Sequence, residues 1–335
     1  MNTLLEVKNL TVSFSSGKKD LEVVSQISFS VQRGEILALV GESGCGKSAS
    51  CLALTGLLPM PPAKYHADCI RFFHDGEAVE LQALPASRLR KIRGGNIAYI
   101  FQEPTASLNP VMRIGEQIEE VLKLHRPEIR DRKQEIISLL KQVGITSSES
   151  RINSYPHELS GGMQQRVMIA MALAGDPELL IADEPTTALD VTVQSQILEL
   201  LEQLRKERQM AVILISHNLG VVSRLADRIA VMYAGKIVES GSADEVLFSP
   251  RHPYTAALLA ALPVPGNRGK QLNTIPGFVP PPGKFPSGCR FCGRCTVQET
   301  LHEAVKERCA AEVPKETAFS STHYACCHCF PEETP

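Results

Sequence analysis

Apolar residues alternate with polar ones at Leu21 and Val23 and again, past Ser25, at Ile27, Phe29 and Val31, and residues 4–14 show a similar alternation. That alternation predicts two antiparallel strands, each with one buried face. The next apolar run, up to Val40, is unbroken and predicts a fully buried strand. A helix-compatible stretch from Ser48 follows, and it is expected to stop before Pro59, because Pro59, Pro61 and Pro62 cannot continue it. Asn96 to Phe101 reads as another strand, leading into Gln102. Between about 110 and 158 the period becomes helical. Ile114, Ile118, Val121 and Leu122 share one face, as do Ile136, Leu139, Leu140 and Val143. Met163 to Ala174 and Val191 to Lys206 predict helices; Leu179 to Ala182, Ala211 to Ile215 and Ile229 to Tyr233 predict strands. Wholly apolar strands separated by helices imply an α/β fold, with a parallel sheet covered on both faces and a small helical subdomain inserted in it.

Composition adds boundaries. From Pro263 to Gly288 the chain carries seven prolines and five glycines, which predicts a linker or extended wrap. The 335 residues suggest about two domains. A net charge of −2 supplies no global basic field for nucleic acid or an anionic membrane, so no nucleic-acid partner is expected. No uncharged apolar run reaches the roughly 18–20 residues of a spanning helix, and the first residues lack a signal-peptide core, so a cytosolic location is expected. Seven of the ten cysteines fall between Cys289 and Cys329. In a reducing compartment such clustering argues for metal binding over disulfides.

The candidate chemistry begins at Gly41-x4-Gly46-Lys47-Ser48, directly after a predicted strand. This spacing builds a phosphate-binding loop. Its glycines turn backbone N–H groups inward, and the helix N-terminus completes an anion site. Lys47 then reaches the β- and γ-phosphates, and the Ser48 hydroxyl can ligate Mg²⁺. Further along, Leu159-Ser160-Gly161-Gly162-Met163-Gln164 caps a helix and opens a second candidate anion site. The apolar strand from Leu179 ends in Asp183 and Glu184. Asp183 suits Mg²⁺, directly or through water, and Glu184 lies where a base can polarise attacking water. A further strand ends at His217.

Taken together, these motifs resemble the ATP-binding cassette (ABC) ATPase family over about residues 4–262. The resemblance implies a cassette domain at 1–262 with a RecA-like core, an antiparallel β subdomain and a helical subdomain at about 103–165. It implies ATP and Mg²⁺ as cofactors. Gly41, Ser43, Gly44, Cys45, Gly46, Lys47, Ser48 and Ala49 would cradle the phosphates, and Phe14 would stack on adenine. Gln102 would sit at the Q-loop, touching Mg²⁺ or water. Ser160, Gly161, Gly162 and Gln164 match the signature motif, with Met163-Gln164 in place of the commoner single Gln. Asp190 closes the D-loop Thr187-Ala-Leu-Asp190. Glu184 would be the base, and His217 the γ-phosphate sensor. In this family two cassettes face each other head to tail, so one chain cannot complete a site alone.

Arg251 to Pro263, Ile275 to Pro282 and Tyr99 to Pro110 resemble the peptide and nickel importer branch, whose members often end in a four-cysteine segment that can hold an iron–sulfur cluster. The resemblance implies Cys289, Cys295, Cys309 and Cys327 as ligands of a 4Fe-4S cluster or of Zn²⁺, with Cys292 and Cys326 as alternates, in a cysteine-rich segment at 289–335. Free thiols remain an alternative. Thr296 to Glu299 carries a capping box and reads as the start of an added helix with Val297, Leu301 and Val305 on one face. The implied role is the ATP-hydrolysing subunit of a bacterial peptide importer. It would lie peripherally on the cytoplasmic face of the inner membrane. Its partners would be a second cassette (identical or distinct), two membrane permeases and an extracytoplasmic solute-binding protein. Import of nickel or another small solute, and a soluble ABC ATPase acting on nucleic acid or ribosomes, are the alternatives.

Overall fold

The computed structural model describes residues 2–17, 19–187, 189–262 and 274–330. Residues 263–273 of the expected linker therefore lie outside the described residues, as does Ala188 of the D-loop match. The chain divides into two compact units. One comprises residues 2–4, 31–35 and 72–215, and the other residues 5–30, 36–71 and 216–330.

In the first unit, strands Ile97–Ile100, Leu179–Asp183 and Ala211–Ser216 pair in parallel. Leu179–Asp183 is buried at every position, as its unbroken apolar run predicts. Helix Gly161–Ala174 packs on strand Ile97–Ile100 and on helices Ile114–His125 and Arg132–Gln142. Ile118, Leu122, Ile136, Leu139 and Leu140 are all buried, which matches the helical spacing read from 110 to 158.

In the second unit, the long strands Thr3–Ser16 and Lys19–Gln32 are neighbours, and Ala63–His66 pairs antiparallel with the first. Strand Ile36–Val40 runs parallel to Arg228–Tyr233, which turns back into Lys236–Ser242. Tyr324–Cys326 from the cysteine-rich segment adds antiparallel to that strand, placing Ala325 opposite Glu239, and Glu316–Ala318 adds beyond it. The segment is thus part of the sheet. Residues 274–288 form neither helix nor strand and lay Ile275, Val279 and Phe285 against the core of this unit. Over residues 274–288 the Pro/Gly-rich stretch is therefore an extended wrap, one of its two readings from the sequence.

The helix after the phosphate loop ends at Leu54, before Gly56 at φ +61°, and so stops before Pro59 as expected. One element differs from expectation. The helix expected from Thr296 starts only at Glu303 and runs to Ala311. Gln298–Thr300 is a 3₁₀ turn, closed by Thr300 Oγ1 donating to the Val297 carbonyl at 2.8 Å.

Candidate functional site

The phosphate loop lies in the second unit. Gly41 and Gly46 hold φ of +151° and +103°. A Cβ on Gly41 would lie 2.1 Å from the Met232 carbonyl oxygen, and one on Gly46 would lie 2.9 Å from Val24, so only glycine fits at both. Helix Lys47–Leu54 starts immediately after. Lys47 is buried, and its ammonium donates to the carbonyls of Gly41 at 2.8 Å and Glu42 at 3.1 Å. Cys45 is buried beside it, and burial pushes its thiol pKa up, so it stays protonated. Ser43 and Gly44 are exposed at the tip, and Ser48 and Ala49 are half-buried. Phe14, half-buried in strand Thr3–Ser16, pairs across the strands with Ala63. His217 is exposed in the turn after strand Ala211–Ser216. That turn is fixed where Asn218 N donates to Ser216 Oγ at 3.0 Å and Asn218 Oδ1 accepts from Gly220 N at 3.0 Å.

In the first unit, three of the candidate residues converge. Buried Asp183 accepts a hydrogen bond from Tyr99 Oη at 3.2 Å. Glu184 follows at φ +46°, a left-handed conformation that costs a non-glycine residue about 1–3 kcal/mol. Its N–H donates to the Ile215 carbonyl at 3.0 Å, which holds it there. Glu184 Oε2 accepts from Gln102 Nε2 at 3.0 Å and from Thr187 Oγ1 at 2.9 Å. The carboxylate is therefore aimed by two donors from two different loops. Such placement is what a water-polarising group requires.

Ser160 caps helix Gly161–Ala174 by accepting from Met163 N at 3.4 Å, and Ser160 and Gly161 are exposed. Gly162 packs under Val193, where a Cβ would sit 2.8 Å from the valine methyl. Gln164 is buried behind them. It donates to the carbonyls of Pro156 and Leu159 at 2.9 and 3.2 Å and accepts from Thr105 Oγ1 at 3.0 Å. Asp190 caps the helix Val191–Arg208, accepting from Val193 N at 2.9 Å.

A second constellation lies in the cysteine-rich segment. Cys289, Cys292, Cys295, Cys309, Cys327 and Cys329 line one small cavity, beside His252. Burial pushes the Cys289 thiol up to about 12 and raises Cys295, Cys309 and Cys327 as well, so all four are protonated at neutral pH. Burial also holds His252 neutral, with its pKa pushed down to about 3. Cys326 is not among the lining residues; its thiol donates to the Ile237 carbonyl at 3.7 Å. Among the described residues, no three His, Cys, Asp or Glu side chains converge as a single-ion site does.

Sequence reasoning missed the brace of the phosphate loop. Arg294, Tyr233 and Tyr254 all bond to Glu42 or to one another. The only local signal was an arginine directly before Cys295.

A family profile described as ABC transporter matches residues 24–187. A protein of Brucella ovis that carries the name of a peptide import ATP-binding protein is 45% identical over 332 residues, covering 97% of this chain and 96% of that one. The chain belongs to the ABC transporter family. It is an ABC ATPase, and a second profile, for the C-terminal region of oligopeptide/dipeptide transporters, matches residues 238–300. The oligopeptide transport ATP-binding protein OppD of Bacillus subtilis is 48% identical over 293 residues, covering 87% of this chain and 81% of its own length. Among solved structures, the cassette MJ0796, as a post-hydrolysis dimer bound to ADP and Pi, superposes with a TM-score of 0.62 at 27% identity. That match covers 72% of this chain and 99% of the cassette. No helix among the described residues is long and apolar enough to cross a membrane.

Proposed function

We propose that this ABC ATPase powers uptake of di- and oligopeptides as the peripheral ATP-hydrolysing subunit of an importer at the cytoplasmic face of the inner membrane. The observation that carries the reading is the near full-length similarity to peptide import ATP-binding proteins, which extends through the C-terminal segment. In this reading the cassette proper ends near residue 262. It pairs with a second cassette, docks on two permeases, and depends on a solute-binding protein outside the membrane. Lys47 and the loop amides hold the ATP phosphates, and Ser48, Asp183 and Gln102 serve Mg²⁺. Glu184 orients and polarises the attacking water, while His217 senses the γ-phosphate. Ser160, Gly161 and Gly162 cap the nucleotide held by the partner cassette, next to Asp190. Catalysis is then positioning plus electrostatics. Co-expression with a pair of peptide-importer permeases should yield a co-purifying membrane complex. Purification on nucleic acid or ribosomes instead would overturn the reading.

The six-thiol cavity supports the further reading that the segment binds an iron–sulfur cluster through Cys289, Cys295, Cys309 and Cys327, with Cys292 and Cys329 adjacent. Zinc fits less well, since mononuclear sites need ligand atoms converging to about 2.3 Å from one point. When bound, such a group would cross-link three stretches of chain.

A further inference from the structure

One side chain joins the cysteine-rich segment to the phosphate loop. Arg294 ends the short turn Cys292–Arg294, directly before Cys295, and is 9% exposed. Its Nη1 donates to Glu42 Oε1 at 2.9 Å and its Nη2 to Glu42 Oε2 at 3.2 Å, a two-pronged pair. Nε donates to the Pro276 carbonyl at 2.7 Å, and Nη1 also reaches Tyr233 Oη at 3.3 Å. Glu42 is the second residue of the loop. Its backbone N–H donates to Tyr254 Oη at 3.0 Å, and its carbonyl accepts from Lys47 at 3.1 Å. Tyr233, Tyr254 and Phe291 pack together beneath, with ring centroids 4.7 to 5.3 Å apart.

Glu42 is thus held at its side chain and at its backbone, and it touches the lysine that grips phosphate. A loop with left-handed glycines at 41, 44 and 46 makes no regular ladder of its own. Its anion affinity depends on amides already turned inward, so an external brace converts directly into affinity. Arg294 is buried while Glu42 keeps 29% of its side chain exposed, so loss of the carboxylate would leave a buried guanidinium short of its partner.

We propose that Arg294 is a positioning residue for nucleotide binding: by clamping Glu42 it sets the phosphate loop, so the cysteine-rich segment tunes the affinity for nucleoside phosphates. Any rearrangement of the turn between Cys292 and Cys295 that withdraws Arg294 loosens nucleotide. The inference rests on reading Gly41 to Ser48 as the nucleotide loop, and wild-type binding tests that separately.

The test is calorimetric titration of the full chain with Mg·ADP. Arg294→Met, which keeps the stem and removes the charge, should weaken binding at least tenfold. Arg294→Lys should recover part of the loss, and Glu42→Gln should cost about as much as Arg294→Met. The double variant should be no worse than either single one, the signature of a shared interaction. A purely structural role would lower the thermal midpoint and leave affinity in the folded fraction intact. Binding within twofold of wild type in folded Arg294→Met, or losses that multiply in the double variant, would overturn the proposal. Should Arg294→Met not fold, Glu42→Gln and the charge-free double variant decide: the proposal requires a tenfold loss in both, and wild-type affinity in either one sinks it. A wild type that does not bind Mg·ADP removes the nucleotide reading itself.

Discussion

Glu184 occupies a backbone region that β-carbons disfavour, and two side-chain donors fix its carboxylate. Strain of this kind persists only where the surroundings over-determine it. Glu184→Gln keeps the size and leaves an amide oxygen to accept from Gln102 and Thr187, but removes the charge that polarises water. The expected result is a fall in kcat of roughly 10²–10⁴-fold with Mg·ATP binding kept, trapping the ATP-bound dimer. Steady-state hydrolysis assays beside nucleotide titration check it, and unchanged turnover would remove Glu184 from the role. The strand ending in Asp183-Glu184 and the loop around Lys47 were legible because spacing along the chain carries them. The brace on Glu42 was not. Arg294 lies 252 positions away in sequence, and no local pattern records which distant carboxylate a guanidinium meets.

Capping boxes show why elements are less legible than residues. Ser242 and Glu245 form one at the start of helix Ala243–Phe248, and the helix is there. Thr296 and Glu299 present the same spacing, yet the chain makes a 3₁₀ turn that sets Gln298 and Leu301 against the thiol cavity. Packing outweighs a cap worth about 1 kcal/mol. Glu245 does more than cap. Its carboxylate accepts from Ser320 Oγ at 2.6 Å, from Ser242 Oγ at 2.8 Å and Ser242 N at 2.9 Å, and from Thr322 Oγ1 at 2.9 Å, and these bonds, Ser320's foremost, hold its pKa down to about 2 from an ordinary 4.5. The folded pKa lies below the unfolded one, so this contribution is complete above pH 4.5 and is lost as pH falls from 4.5 toward 2. Denaturant titrations across that window should show Glu245→Gln destabilised by about 1 kcal/mol at neutral pH, with a flatter acid limb than wild type. Parallel wild-type and variant curves at every pH would refute the clasp.

On the scale of the molecule, the cysteine-rich segment is built into a sheet. Strand Tyr324–Cys326 pairs with Lys236–Ser242, and neighbouring residues of a strand face opposite ways. That alternation sends Cys326 to the Ile237 carbonyl while Cys327, just past the strand, lines the cavity with five other thiols. The family resemblance pointed to Cys327 but had no means of counting the thiols that share one cavity, because a turn, a helix and the end of a strand bring them together from three stretches. Protein purified without oxygen should absorb near 400 nm and carry about four irons and four sulfides per chain. Colourless protein with one zinc per chain, or with no metal, would contradict the cluster reading.

Peptide import is the central claim, and uptake into proteoliposomes measures it most directly. The chain would be reconstituted with its partner cassette, permeases and solute-binding protein, with ATP supplied on the cassette side. The account predicts accumulation of a labelled peptide that requires ATP, fails with ADP and is abolished by Glu184→Gln. Accumulation of nickel and not of peptide would contradict it, as would hydrolysis that never moves solute.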